Sequence, residues 1–163
     1  MSVLSLLELV RAEAYWFGGA CYLAGAPYRP VPLEVSCSFA NDGGALSAEG
    51  TYRHQSGTTA HPFSVRVHFA EDVTPTVQVN SSHTGMLSGH IFAIGVGYEL
   101  LVSSSAHGSV LSCRFEIERS GSIHSSGVVS SSHESFAFVA NGAPGTNREA
   151  LGNVVGILGG RRV

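Results

Sequence analysis

Six side chains with acid, base or anion-binding capacity, Glu34, Arg53, Arg66, His68, Arg114 and Glu116, fall on one parity of segments in which apolar and polar residues alternate. Glu49, Gln78, Glu118 and His124 join them. Residues two apart on a strand point to the same face of a sheet, so the set forms one polar face. Exposed to water, it pairs across neighbouring strands as a charge ladder. Turned inward, it makes a pocket with general acid and base capacity. Parity leaves both arrangements open. The opposite parity carries Cys37, Tyr52, Phe69, Tyr98, Cys113 and Phe115, together with Phe63 and Ile117. These residues are either a packed core or the lining of a cavity for an apolar ligand, in which Tyr52 and Tyr98 are the polar handles. Trp16 lies in the run Tyr15-Trp16-Phe17, which either covers one end of the sheet or lines a ligand mouth.

Eight histidines raise the question of a metal, but no two are spaced i, i+2 on one strand face. A metal would need His54, His68 or His124 to converge from separate strands, and the expectation is that no metal is bound. GxSxG, GxxxxGK, GxGxxG, HExxH and CxxC are all absent, which removes the usual hydrolase, nucleotide-binding and zinc-peptidase readings and implies no cofactor. Three cysteines, Cys21, Cys37 and Cys113, read as buried free thiols, with a Cys37–Cys113 disulfide as the rival.

The elements that must position these groups are strands. The alternation of Val31, Leu33, Val35, Cys37 and Phe39 with Glu34, Ser36 and Ser38 recurs over 46–53, 63–69 and 111–118, and five further segments read as strands between turn signals. The resulting strands are predicted at 31–40, 44–54, 62–71, 73–80, 86–94, 96–104, 109–119, 122–130 and 134–140. Connections such as Asn41-Asp42-Gly43-Gly44 and Ser120-Gly121 have the length and glycines of hairpin turns. Pro75 removes a ladder donor and marks an edge or a bulge. Segment 86–102 loses the alternation at Ile91-Phe92-Ala93-Ile94, which predicts burial of both its faces, by a helix, a loop or another subunit. Before the strands, Val3, Leu6, Leu7, Val10 and Ala14 have helical spacing, so residues 3–16 read as a helix stopped by Gly18-Gly19. After them, Leu151, Val154, Val155 and Leu158 give a weak terminal helix.

The chain of 163 residues is thus a single domain: 1–29 N-terminal helix and aromatic cap, 30–141 antiparallel barrel, 142–163 C-terminal helix or tail. The fold class is all-β, an up-and-down barrel of about eight or nine strands, with a two-sheet β-sandwich as the alternative. Charged residues make up 13%, roughly half the usual share, and all nine cations are arginine. So bare a surface suggests a homo-oligomer. Net charge of -3 argues against a nucleic-acid partner, and no apolar run is long enough to span a membrane as a helix. Glu8 and Arg11 interrupt the apolar opening and make it a poor signal peptide, so a cytoplasmic location is expected.

Strand count and short turns over residues 31–140 resemble the calycin-type barrels, the lipocalins and fatty-acid-binding proteins, and also the compact barrels of allene oxide cyclase and some natural-product cyclases. The lipocalin Gly-x-Trp signature is absent, so the resemblance extends to architecture and carries no site residue. The expected function is binding of a small, largely apolar organic molecule in the barrel interior. Any chemistry would be that of a cofactor-free cyclase or isomerase. The rival is a non-catalytic structural or interaction module acting as an oligomer.

Overall fold

The computed structural model describes residues 5–10, 13–25, 29–54 and 59–145. Ten antiparallel strands follow one another around a closed barrel: β1 (Ala14–Leu23), β2 (Val31–Asn41), β3 (Ala45–His54), β4 (His61–Ala70), β5 (Val73–Ser81), β6 (Gly85–Ile94), β7 (Gly97–Ser104), β8 (Ser109–Ile117), β9 (Ile123–Ser130) and β10 (Ser135–Pro144). Each strand pairs with its sequence neighbours, and β1 closes the ring on β10, with Phe17 opposite Gly142 and Cys21 opposite Phe138. Closure leaves no unpaired edge, and hairpin connections make a barrel rather than a sandwich the natural product of this pattern. Pro75 falls within the register shift between β4 and β5, where no ladder donor is required.

Nine of the ten strands coincide with the segments predicted from alternation. The tenth corrects the N-terminal reading. Residues 14–23 form β1, and the helix is a single turn, α1 (Leu6–Leu9), not 3–16. The barrel therefore starts at Ala14, not near residue 30, and Tyr15-Trp16-Phe17 is part of its wall rather than a cap. Gly18-Gly19 interrupts nothing, because β1 is paired on both sides and Gly19 sits where a Cβ would fall on the Val139 carbonyl oxygen of β10. The predicted terminal helix at 151–158 lies outside the described residues.

Burial decides which of the two parities is inside. Leu33, Cys37, Leu46, Val67, Val77, Leu87, Ile91 and Tyr98 are buried on the inner wall, and the polar parity faces out. One end of the barrel is closed by α1. Leu6, 1% exposed, and Val10 pack against Leu46, Val67, Ile91 and Tyr98. Burial of that one leucine contributes about 2 kcal/mol. The Ser5 hydroxyl lies 2.8 Å from the Tyr98 hydroxyl and ties the plug to β7. Tyr98→Phe should therefore cost about 1 kcal/mol and lower Tm by roughly 2–4 °C in thermal denaturation. An unchanged Tm would mean that the bond adds nothing to plug closure.

The expectation for segment 86–102 holds on one side only. Within the chain, Leu87, Ile91, Leu100 and Val102 face the core, while Met86, Phe92, Ile94, Val96 and Leu101 stand in the open, Val96 at 67% exposure. Among the described residues, no helix is long and apolar enough to cross a membrane.

Candidate functional site

Ten strands enclose more space than their side chains fill. Two adjoining lobes lie inside the barrel. The first, of about 180 Å³, is bounded by Tyr52, Ser81, Thr84, Leu87 and Phe136 at the end opposite α1. The second, of about 240 Å³, reaches down to Leu6 and Val10 and is walled by Phe17, Cys37, Cys113, Phe115 and Ile117. Leu33, Val35, Phe63, Val65 and Phe138 line both. Inward-facing Val35, Phe63, Val65 and Phe138 remain only partly buried, because their accessible surface is cavity wall.

The open end carries a cluster of titratable groups assembled from four places: Tyr52 and His54 from the end of β3, His61 from the start of β4, His83 from the β5–β6 turn and Glu134 from the β9–β10 turn. The Tyr52 hydroxyl lies 2.7 Å from His83 Nδ1. Glu134 holds His54 at 3.2 Å and stands 3.8 Å from His83. The His61 ring packs against His83 with centroids 4.2 Å apart, and against Tyr52 at 5.3 Å. Burial pushes the Tyr52 hydroxyl up to about 12, so it stays protonated at neutral pH. Desolvation, then the neighbouring His83 and His54, press His61 below the ordinary histidine value and favour its neutral form. Among the described residues, no group of three His, Cys, Asp or Glu side chains is arranged to hold a metal ion. The cluster is suited to proton transfer and hydrogen bonding at the rim of a dry cavity.

The candidates named from sequence separate into distinct locations. Tyr52 lines the upper lobe, and Cys37, Cys113 and Phe115 the lower one. All three cysteines are free, and burial pushes the Cys37 and Cys113 thiols up to about 12, well away from thiolate chemistry. Tyr98 stacks on Phe115 at the plug end, and Phe69 packs against the core cluster there. Trp16 stands on the outer wall, in a shallow groove with Glu34, Ser36 and Arg53. Glu34, Arg53, Arg66, His68, Arg114 and Glu116 all take the outward parity, so the polar face is not turned inward. Glu34 accepts two hydrogen bonds from Arg53, at 2.8 and 2.9 Å. Of the histidines that convergence would have joined, His54 meets His61, which in turn meets His83, while His68 and His124 remain outside.

His61, His83 and Glu134 were missed. His61 had a signal, since it shares the inward parity of Phe63, just as His54 shares that of Tyr52. His83 and Glu134 sit in turns, where parity carries no information.

On the outer wall, Glu118 and then Asn141 hydrogen-bond His124, at 2.9 and 2.7 Å, and raise its pKa. A raised folded pKa gives stabilisation that is complete below the ordinary value of 6.5 and fades as pH climbs through the folded one. His61 has the opposite sign: as pH falls below 6.5 the unfolded chain takes up a proton that the folded rim resists, so acidification costs stability there. NMR titration of the imidazoles should place His124 above 6.5 and His61 below it, and Glu118→Gln should bring His124 down. Coincident midpoints would refute both placements.

No family model matches the sequence, and no curated protein matches it. Among solved structures, the S-type phycobiliprotein lyase CPES from Guillardia theta superposes with a TM-score of 0.63, covering 91% of this chain and 95% of that one at 7% sequence identity. At that identity the likeness concerns the fold, and it establishes this chain as a closed antiparallel barrel of the same overall architecture.

Proposed function

We propose that the barrel binds a small, largely apolar organic molecule in its interior, with the ligand's polar end at the histidine-lined rim. The observation that carries this reading is the pair of adjoining lobes, walled by Leu, Val and Phe from all around the ring and bounded at one end by Tyr52, Ser81 and Thr84. Apolar walls supply affinity, and a few fixed polar groups supply orientation. The fold is compatible with chemistry on an organic group, since the solved neighbour of the same architecture is a phycobiliprotein lyase. Any reaction here is cofactor-free, an isomerisation or cyclisation in which the cavity holds a reactive conformer. The protein works in the cytoplasm.

The neutral apolar fluorophore N-phenylnaphthylamine tests the binding. It should show saturable, one-to-one binding with blue-shifted emission, and small apolar ketones and terpenoids should displace it. Absence of saturable binding would end the ligand reading. A second reading, an interaction module, is favoured by the exposed Phe92, Ile94 and Val96 at the β6–β7 tip. It requires a homo-oligomer in light scattering that Phe92→Glu converts to a monomer, and a wild-type monomer would remove it.

A further inference from the structure

We propose that the rim is a bifunctional proton-transfer site, with His61 as the base and His83 as the hydrogen-bond donor. Its substrate class is an apolar ketone or aldehyde bearing an acidic hydrogen on the carbon next to the carbonyl. This inference rests on the ligand reading above and names the substrate class for the same site.

Three observations combine. First, among the described residues His61 makes no hydrogen bond, so its ring nitrogens are available, and its ring is in van der Waals contact with His83. Second, His83 has its Nδ1 occupied by the Tyr52 hydroxyl at 2.7 Å. We assign the tautomer in which the Tyr52 hydroxyl donates to that nitrogen, which leaves His83 with its hydrogen on Nε2 as a donor. Third, both rings contact Tyr52, which itself lines the upper lobe, so a ligand whose apolar body fills that lobe carries its head past Tyr52 to the edges of the two rings. An acceptor and a donor on touching rings form the pair that enolisation requires.

The step balances without a co-reactant. A His61 nitrogen takes the proton from the α-carbon, and the C–H electron pair becomes a carbon–carbon π bond. The carbonyl π pair moves onto oxygen, where the His83 Nε2–H stabilises it. Return of the proton from His61 to the γ-carbon of a β,γ-unsaturated ketone moves the double bond into conjugation; return to the α-carbon gives exchange. Glu134 contributes by holding His54 beside His61 and stands 3.8 Å from His83. Tyr52 is a positioning residue, acting through His83.

The test uses the intact protein with β-tetralone in deuterated buffer. Proton NMR follows loss of the α-hydrogen signal, and displacement of N-phenylnaphthylamine follows binding. Wild-type protein should accelerate exchange about a hundred-fold or more over an equal concentration of free imidazole. The rate should rise with pH through a midpoint below the ordinary histidine value, set by His61 in the company of His54, His83, Tyr52 and Glu134. His61→Ala should lose the acceleration while retaining displacement, and added imidazole should restore part of it, which a merely structural defect would not allow. Tyr52→Phe and His83→Gln should slow exchange by a larger factor than they weaken displacement of N-phenylnaphthylamine. Bound β-tetralone that exchanges no faster than with free imidazole, or His61→Ala at the wild-type rate, would overturn the base assignment and leave the ligand reading intact. Failure of both β-tetralone and N-phenylnaphthylamine to bind would overturn the ligand reading, and this inference with it.

Discussion

Gly50→Val is expected to abolish cooperative folding. Gly50 lies in the middle of β3 on the inward parity, between Ala48 and Tyr52, opposite Cys37 of β2 and Phe63 of β4. A Cβ built there would land on the Ser36 carbonyl oxygen and come within 2.6 Å of both Cα and Cβ of Cys37. Two of those atoms belong to the backbone of the paired strand and cannot swing away as a side-chain end can. Relief requires β2 to separate from β3 in the middle of a ladder that runs from Leu33 to Asn41. Overpacking in a core typically costs about 1–3 kcal/mol when side chains can adjust. Here the obstacle is backbone and valine adds two further methyls, so the cost reaches the range that exhausts a marginal stability of about 5–15 kcal/mol. Gly50→Ala brings the same Cβ against the same backbone atoms without valine's two further methyls, so it should already lower the urea midpoint sharply, though less than Gly50→Val. A Gly50→Val protein melting within a few degrees of wild type would show that β2 and β3 do not approach this closely.

Most of the barrel was legible because its physics is local. In β2, β3, β4 and β8 one face is dry and the other wet, so alternation marks the element and sorts its residues into two faces, while which face turns inward is decided by closure of the ring. β1 was not legible for two reasons. Its inward set, Tyr15, Phe17, Gly19 and Cys21, is diluted by glycine, and the preceding Val3, Leu6, Leu7 and Val10 carry a helical period that extends into it. Only tertiary closure, with β2 on one side and β10 on the other, stabilises a strand containing Gly18-Gly19. The site shows the same division. Parity grouped Tyr52, Cys37, Cys113 and Phe115 on one face, as core or cavity wall, whereas the pairing of Tyr52 with His83 spans 31 residues and depends on how a turn folds over the barrel end. Glu134 is remoter still, 80 residues from the His54 it holds. Such contacts belong to ring closure, which no local pattern encodes. The outward polar set was legible as a set, but its charges serve the surface: the pair of Glu34 with the half-exposed Arg53 contributes a fraction of a kcal/mol at most.

Val65→Trp should reduce affinity for N-phenylnaphthylamine at least about a hundred-fold, a loss of roughly 2.7 kcal/mol, without lowering Tm. Val65 is on β4 with its side chain inward, one of the few residues that line both lobes. An indole at that junction occupies the space through which a ligand must extend from the Cys113 and Phe115 wall to the Tyr52 rim. The same substitution in a filled core would overpack and destabilise. In a hollow one it removes empty volume and adds apolar contact, so stability holds or rises. The two readouts together discriminate between architectures: lost binding with preserved Tm means an enclosed site, while lost binding with a collapsed Tm means that the interior is already full. Val128→Trp, at a position 53% exposed on the outer wall of β9, is the control and should leave affinity unchanged. If Val65→Trp binds the fluorophore as wild type does and Val128→Trp does not, the ligand sits on the outer surface, and the apolar outward residues of β6, β7 and β9 become the site.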